Sequence, residues 1–286
     1  MPLMDISDDV SRIISRYGIK PQKIFGQNFV TDSALLKRMI DYARVCSDDV
    51  VLEIGAGLGF LTELLSEKAG KVIAVEKDSN LMRILKDRLG NKENIVLIEK
   101  DIMKTRDLIF DKVVSNPPYQ LSSPLLFKLL EHGFKVMVLT FQREFARRLI
   151  AKEGTKEYGR LSVMAHLKSR SEILEYVNHA VFSPSPRVES AVVRLNPEGP
   201  SLQPLDVSLF SLFVRELFTQ RNKTSKKVIK EFIKKNLMLD ESGLNTLIEK
   251  LPYLGKRVYQ ISPSEFIELS NMIYVVKRNL AEDLVQ

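Results

Sequence analysis

At 286 residues, 44% hydrophobic and 28% charged, the chain is long enough to bury a sizeable core and has the composition of a folded globular protein rather than a disordered one. A single cysteine, Cys46, excludes an internal disulfide and any multi-cysteine metal centre, and no apolar run approaches the ~20 residues of a membrane span. The formal net charge of +7 favours a polyanionic partner, and with no hydrophobic signal core near Met1 the expected compartment is the cytoplasm.

Met1 to Lys20 is a polar, weakly amphipathic lead-in with Val10, Ile13, Ile14 and Tyr17 at helical spacing. Residues Lys20 to Val30 mix amides, glycine and aromatics and read as neither helix nor strand, with Gln27-Asn28 as a turn. Thr31 or Asp32 is placed to cap a helix from Ser33 to Val45 that buries Leu35, Leu36, Met39 and Ile40. Val50 to Ile54 is a short apolar run bounded by Asp48-Asp49 and a glycine cluster, the pattern of a buried parallel strand. Gly55-Ala56-Gly57-Leu58-Gly59 and an amphipathic helix to about Lys68 follow, so strand, glycine turn and helix together make a ligand cradle. Phe60 stands where the dinucleotide fingerprint needs its third glycine, which argues against a nicotinamide cofactor. Glu53, directly before the glycines, would repel a pyrophosphate and favour a cationic or zwitterionic ligand.

Lys71 to Glu76 reads as the second strand, ending in an acid about 20 residues past the glycines, a position from which a carboxylate grips ribose hydroxyls. A helix from Ser79 to Leu89 leads to a third strand, Asn94 to Glu99, closed by Lys100-Asp101-Ile102, where Asp101 is placed to bond the exocyclic amine of an adenine. The fourth strand, Asp111 to Val114, runs into Ser115-Asn116-Pro117-Pro118-Tyr119. Pro117 biases Asn116 away from helix, and both prolines lack an N–H, which leaves carbonyls without ladder partners. The Asn116 side-chain carbonyl, the Pro117 main-chain carbonyl and the Tyr119 ring suit a planar base with an exocyclic amine, an adenine turned out of its stack. A helix from Pro124 to Gly133, a strand from Lys135 to Phe141 and a helix from Gln142 to Lys152 continue the alternation. The prediction is an α/β fold, a doubly wound sheet whose ligand lies over the carboxyl ends of its strands, where Glu53, Glu76, Asp101 and Asn116 all fall.

After Lys152 the pattern changes. Ile173 to Val177 and Ser190 to Leu195 read as a final antiparallel strand pair around a stiff loop, Phe182-Ser183-Pro184-Ser185-Pro186-Arg187-Val188. Asn196 to Asp206, with three prolines and a glycine, is the clearest linker. The remainder reads as helices, with Phe210, Phe213, Val214, Leu217 and Phe218 on one face. Lys223, Lys227, Lys230 and Lys234 would form a stripe roughly 60° wide on a helix, opposite Val228, Ile229 and Phe232. Residues 215–235 hold eight Lys or Arg against two Glu.

Taken together these motifs resemble the KsgA-type rRNA adenine dimethyltransferases, with their archaeal and eukaryotic relatives, over essentially the full chain. Gly26-Gln27-Asn28-Phe29-Val30 is similar to that family's N-terminal GQNFL signature, and Glu53-Ile54-Gly55-Ala56-Gly57 to its S-adenosylmethionine turn. Asn116-Pro117-Pro118-Tyr119 resembles its catalytic N-[LIP]-P-Y, residues 182–188 its F-x-P-x-P-x-V loop, and Arg257 with Ile261 to Phe266 its C-terminal R…LSxxEF segment. Val30 stands where Leu is commoner, and Gln220-Arg221-Asn222-Lys223-Thr224 replaces the usual RRKT, which leaves the RNA contacts of that segment open.

The resemblance implies a Rossmann-like methyltransferase domain over 1–196, a linker at 197–205 and a smaller helical, RNA-docking domain over 206–286. It implies transfer of methyl groups from S-adenosylmethionine to N6 of two adjacent adenosines near the 3′ end of small-subunit rRNA, giving N6,N6-dimethyladenosines during ribosome biogenesis. The implied catalytic residues are Asn116, Pro117, Tyr119 and Phe182. Asn28, Val30, Glu53, Gly55, Gly57, Glu76, Asp101, Ile102 and Asn116 would hold the cofactor. Arg221, Lys223, Lys226, Lys227, Lys230 and Lys234 would meet RNA. The expected partner is the small ribosomal subunit or its rRNA, bound by a monomer with no metal and no membrane. The competing readings are an N6-adenine DNA methyltransferase, a noncatalytic assembly factor and a nicotinamide-dependent oxidoreductase. The GQNF segment with the helical C-terminal part, the intact Glu76, Asp101 and Asn116, and Phe60 speak against them respectively.

Overall fold

The computed structural model describes residues 6–19, 27–237 and 239–283. They form helix α1 (Ser7–Tyr17), strand β1 (Phe29–Val30), α2 (Ser33–Tyr42), β2 (Val50–Ile54), α3 (Phe60–Ser66), β3 (Lys71–Glu76), α4 (Ser79–Leu89), β4 (Ile95–Glu99) and β5 (Lys112–Ser115). There follow α5 (Ser122–Leu130), β6 (Val136–Gln142), α6 (Arg143–Leu149), α7 (Arg160–His166), β7 (Ser169–Val177), β8 (Phe182–Ser183) and β9 (Ser190–Pro197). The last elements are α8 (Val207–Phe218), α9 (Ser225–Asn236), α10 (Glu241–Lys250) and α11 (Pro263–Asp283).

Seven strands make one mixed sheet in the order β4-β3-β2-β5-β6-β9-β7. Beginning at β2 the chain winds outward to β3 and β4, then crosses back to lay β5 and β6 on the other side. All five of these strands are parallel, and β9 runs antiparallel to β6. This is the doubly wound α/β order, with its switch point between β2 and β5. The parallel strands β2, β3, β5 and β6 are buried along nearly their whole length, which is why they read in sequence as unbroken apolar runs.

Helix starts follow local chemistry. The Asp32 carboxylate accepts the N–H groups of Ala34 (2.8 Å) and Leu35 (3.2 Å) at the head of α2, and Asp78 accepts that of Asn80 (2.9 Å) at the head of α4. From α2 and α3, Leu36, Met39, Ile40, Leu61 and Leu65 pack with Val51, Val72 and Val138 of the sheet. The α4 residues Met82, Leu85 and Leu89 pack with Ala74.

The chain divides into two compact units. One holds residues up to Ala146 together with Arg170–Pro197, and the other holds Arg147–Ser169 together with the residues from Glu198 onward. The expected division at 196 and 206 is therefore corrected for residues 147–169. Tyr158, Val163 and Leu167 are buried in the core of the helical unit with Leu209, Phe210 and Phe213, and the Tyr158 hydroxyl donates to the Ile261 carbonyl at 2.8 Å. In that core Phe213 meets Phe232 edge-on at 5.1 Å between ring centroids. Gly26, the first residue of the expected N-terminal signature, lies outside the described residues.

Candidate active site

A cavity opens over the carboxyl ends of β2 to β5. It is lined by the glycine turn, Glu53, Glu76, Asp101, Ile102, the 116–121 loop and the segment from Gln27 to Val30. The parallel register creates this convergence: the strands end at the same edge, and residues at or just beyond those ends line the crevice beside the switch point.

The turn after β2 requires glycine. Gly55 and Gly57 have φ of +73° and +59°, and a Cβ on Gly55 would stand 3.2 Å from Pro118 Cδ. The glycine turn is thus packed against the Asn-Pro-Pro-Tyr loop, and the two motifs share one wall. Glu76 closes the turn from β3. Its Oε2 accepts the Gly57 N–H at 3.0 Å, while Oε1 accepts those of Lys77 (2.8 Å) and Asp78 (2.9 Å). Burial raises its pKa, and the three N–H groups oppose that shift by favouring the anion. Glu53 is more isolated. It is 2% exposed, its Oε2 accepts the Thr62 hydroxyl at 2.6 Å, and burial pushes its pKa up to about 8 against that bond, with the nearby Glu76 charge adding to the rise.

Asp101 heads a short turn in which its Oδ1 accepts the Met103 N–H at 2.9 Å and its Oδ2 accepts Lys77 Nζ at 2.8 Å. The lysine contact, followed by the Met103 N–H, lowers its pKa and keeps it ionised. Ile102 beside it is buried and supplies an apolar patch to the cavity wall. Val30 is buried in β1, and the Asn28 carbonyl accepts Asn116 Nδ2 at 3.0 Å, so the N-terminal segment is tied to the loop.

Asn116 and Tyr119 are held from beneath by two residues to which sequence pattern alone assigns no role. Ser115 pairs with Leu139 in the β5–β6 register, which puts the next residue, Asn116, beside Thr140. The Thr140 hydroxyl donates to Asn116 Oδ1. Gln142 pairs with Ser190 across β6 and β9, and Ser190 Oγ lies 2.5 Å from the Tyr119 hydroxyl. Burial raises the Tyr119 pKa, against hydrogen bonds with Ser190 and Thr140. A polar residue inside an apolar strand is the available signal in the sequence, but it identifies no partner without the register.

Phe182 departs from its expected place. It pairs with Val30 across β1 and β8, is 3% exposed, packs with the core around Val30 and Val192, and is absent from the cavity lining. A side chain committed to that core has no free face to offer a base.

The basic residues of the helical unit also divide. Arg221 donates to the carbonyls of Lys156 (2.7 Å) and Thr155 (3.1 Å) and stacks on Tyr259, so it braces a loop. Lys223 precedes α9 and is not on the helical stripe. Lys230 reaches Asn245 at 3.2 Å, and Lys234 pairs with Glu241 at 2.6 Å. Lys223, Lys226 and Lys227 are exposed, and among the described residues no ion pair engages them. Val228, Ile229 and Phe232 are buried as the opposite face requires.

The model of the ribosomal RNA adenine dimethylase family matches residues 18–254. A probable ribosomal RNA small subunit methyltransferase A of Methanothermobacter thermautotrophicus is 40% identical over 267 residues, which cover 93% of this chain and 95% of the relative. The protein of the same description from Thermococcus kodakarensis is 40% identical over 268 residues, 93% of this chain and 95% of the relative. Among solved structures, a dimethyladenosine transferase from Plasmodium falciparum superposes with a TM-score of 0.75 at 31% identity, covering 84% of this chain and 95% of that one. The 23S rRNA methyltransferase ErmE gives 0.66 at 24% identity, over 86% of this chain and all of the other, a likeness of fold.

Proposed function

The chain belongs to the ribosomal RNA adenine dimethylase family, and from that premise we propose that it converts two adjacent adenosines near the 3′ end of small-subunit rRNA to N6,N6-dimethyladenosine, with S-adenosylmethionine as methyl donor. The observation that carries this reading is the shared wall. Gly55 packs on Pro118, so a ligand cradled by the glycine turn lies next to the carbonyls of Asn116 and Pro117.

The residues present fit the proposed cofactor. The positive-φ glycines have no side chain to hold a ligand off the turn, and the cavity carries Glu76, Asp78 and Asp101 against Lys77 and Lys100, with Glu53 protonated at neutral pH, a small acidic excess suited to a sulfonium cation with an ammonium group. Three of roughly four acceptor positions on Glu76 are filled by backbone, which leaves about one for a ribose hydroxyl. When bound, the cofactor would supply an electrophilic methyl: the amine nitrogen bonds to it in line as the C–S bond breaks, the thioether leaves, and the nitrogen releases a proton to solvent.

The protein acts mainly by positioning. An aryl amine is a weak nucleophile because its lone pair is delocalised into the ring. Asn116 Oδ1, which has a second lone pair beside the one used by Thr140, and the Pro117 carbonyl accept the two N–H bonds and favour a pyramidal nitrogen. Tyr119 stacks the flipped base. The enzyme works as a cytoplasmic monomer on the small subunit, and Lys223, Lys226 and Lys227 neutralise phosphates of its rRNA.

The test incubates the purified protein and S-adenosylmethionine with unmethylated small subunits and, separately, with single-stranded DNA oligonucleotides, followed by mass spectrometry of the nucleosides. Dimethyladenosine confined to two neighbouring rRNA positions is expected. Equal methylation of the DNA would replace the rRNA reading by a general adenine methyltransferase.

A further inference from the structure

Beneath the proposed adenine pocket, two hydrogen bonds hold its residues: Thr140 donates to Asn116, and Ser190 bonds the Tyr119 hydroxyl. Thr140 and Ser190 are fully buried at 0% exposure, in the middle of β6 and at the start of β9, where a hydroxyl without a partner is costly. Valine or alanine would suit an apolar sheet interior at either place.

The Thr140–Asn116 bond has a direction, and one group sets it. The Asn28 main-chain carbonyl only accepts, so the Asn116 group facing it at 3.0 Å is the NH₂. The Asn116 carbonyl oxygen therefore faces Thr140, whose hydroxyl donates to it. In the second pair either hydroxyl can donate, and the Tyr119 and Ser190 oxygens lie 2.5 Å apart. The consequence for chemistry lies at Asn116. Turned over, its amide would present NH₂ to the NH₂ of the adenine, donor against donor.

We propose that Thr140 and Ser190 are positioning residues for methyl transfer: Thr140 locks the Asn116 amide with its oxygen toward the reacting amine, and Ser190 seats the Tyr119 ring. This rests on the reading that Asn116 and Tyr119 hold the adenine. It assigns the two hydroxyls a role in turnover, not in cofactor binding. Thr140→Val keeps the side-chain shape and removes the donor. Asn116 then keeps its NH₂ on the Asn28 carbonyl but loses the donor that holds its oxygen in place, so the amide swings about that one remaining contact.

The experiment measures the single-turnover methylation rate, S-adenosylmethionine affinity by calorimetry and thermal stability for Thr140→Val, Thr140→Ser, Ser190→Ala and Asn116→Ala. Thr140→Val should lower the rate about 10- to 100-fold, the scale of a misplaced reacting group, with cofactor affinity unchanged. Thr140→Ser, which restores the donor, should recover most of the rate. Ser190→Ala should lose less, because it leaves the Thr140–Asn116 bond intact, and combining it with Tyr119→Phe should add little, since both remove the same Tyr119–Ser190 bond. A Thr140→Val rate equal to wild type while Asn116→Ala is crippled would overturn the inference and leave the parent reading intact. Equal losses in the Val and Ser variants would also overturn it, since packing alone would then explain the position. Near-normal turnover in Asn116→Ala would remove the parent reading itself.

Discussion

Glu53 and Glu76 lie at the ends of neighbouring strands and line the same cavity, yet their surroundings give them opposite tasks. Glu76 is held by three N–H groups as an anchor for the glycine turn, and Glu76→Ala removes both that anchor and the proposed ribose contact. S-adenosylmethionine binding should weaken by about 1.5–3 kcal/mol, the scale of hydrogen bonds to a charged group, and calorimetry reads it directly. Unchanged affinity would take Glu76 out of the site. Glu53, at about 8, holds a proton at neutral pH that the unfolded chain would release near 4.5. The folded state binds the extra proton between those values, so stability falls as pH rises from about 4.5 to about 8 and levels off above, at up to about 1.4 kcal/mol per pH unit. Glu53→Gln keeps an acceptor for Thr62 without the charge. The variant's melting temperature should exceed wild type at pH 9 and converge toward it near pH 5, pH values on the order of one unit beyond the raised value and just above the ordinary one. Parallel melting curves would contradict a buried, protonated Glu53.

At the scale of elements, α9 shows what pattern alone decides. Its apolar face was legible because Val228, Ile229 and Phe232 repeat at helical spacing, and all three are buried. The fate of its lysines was not, because Lys234 is satisfied by Glu241 on α10 and Arg221 by carbonyls of the 155–156 loop, partners set by tertiary packing. The strands that lead into Glu53, Glu76 and Asn116 were legible as apolar runs closed by a polar residue. The β1–β8 pair was not: two residues per strand carry no periodicity, and their pairing is what buries Phe182. Phosphate binding should follow the exposed lysines that no carboxylate engages. Replacing Lys223, Lys226 and Lys227 by Gln should reduce the slope of log affinity against log salt by about 0.7 to 0.9 for each phosphate no longer neutralised. Lys234→Gln should change it less, since that charge already has a carboxylate. Equal slopes in the two sets, measured by rRNA-binding titrations at several salt concentrations, would move the docking surface elsewhere.

At the scale of the molecule, chemistry and charge are carried by different units. The α/β unit holds an acid-rich cavity, while residues 215–235 of the helical unit contain eight Lys or Arg against two Glu, a large part of the chain's +7. An acidic site suits a cationic cofactor, and a basic segment suits a phosphate backbone without reading its bases. Within the α/β unit, Asn116 is proposed to activate the amine and not merely to border the pocket. The most direct measurement compares wild type with Asn116→Ala for methyl incorporation into unmethylated small-subunit rRNA at saturating S-adenosylmethionine, with rRNA binding determined on the same preparations. Turnover should fall by at least about 10-fold while binding stays within about 2-fold, because the bond matters most as the nitrogen becomes pyramidal. Turnover close to wild type, or a loss matched by an equal loss of binding, would contradict that role for Asn116.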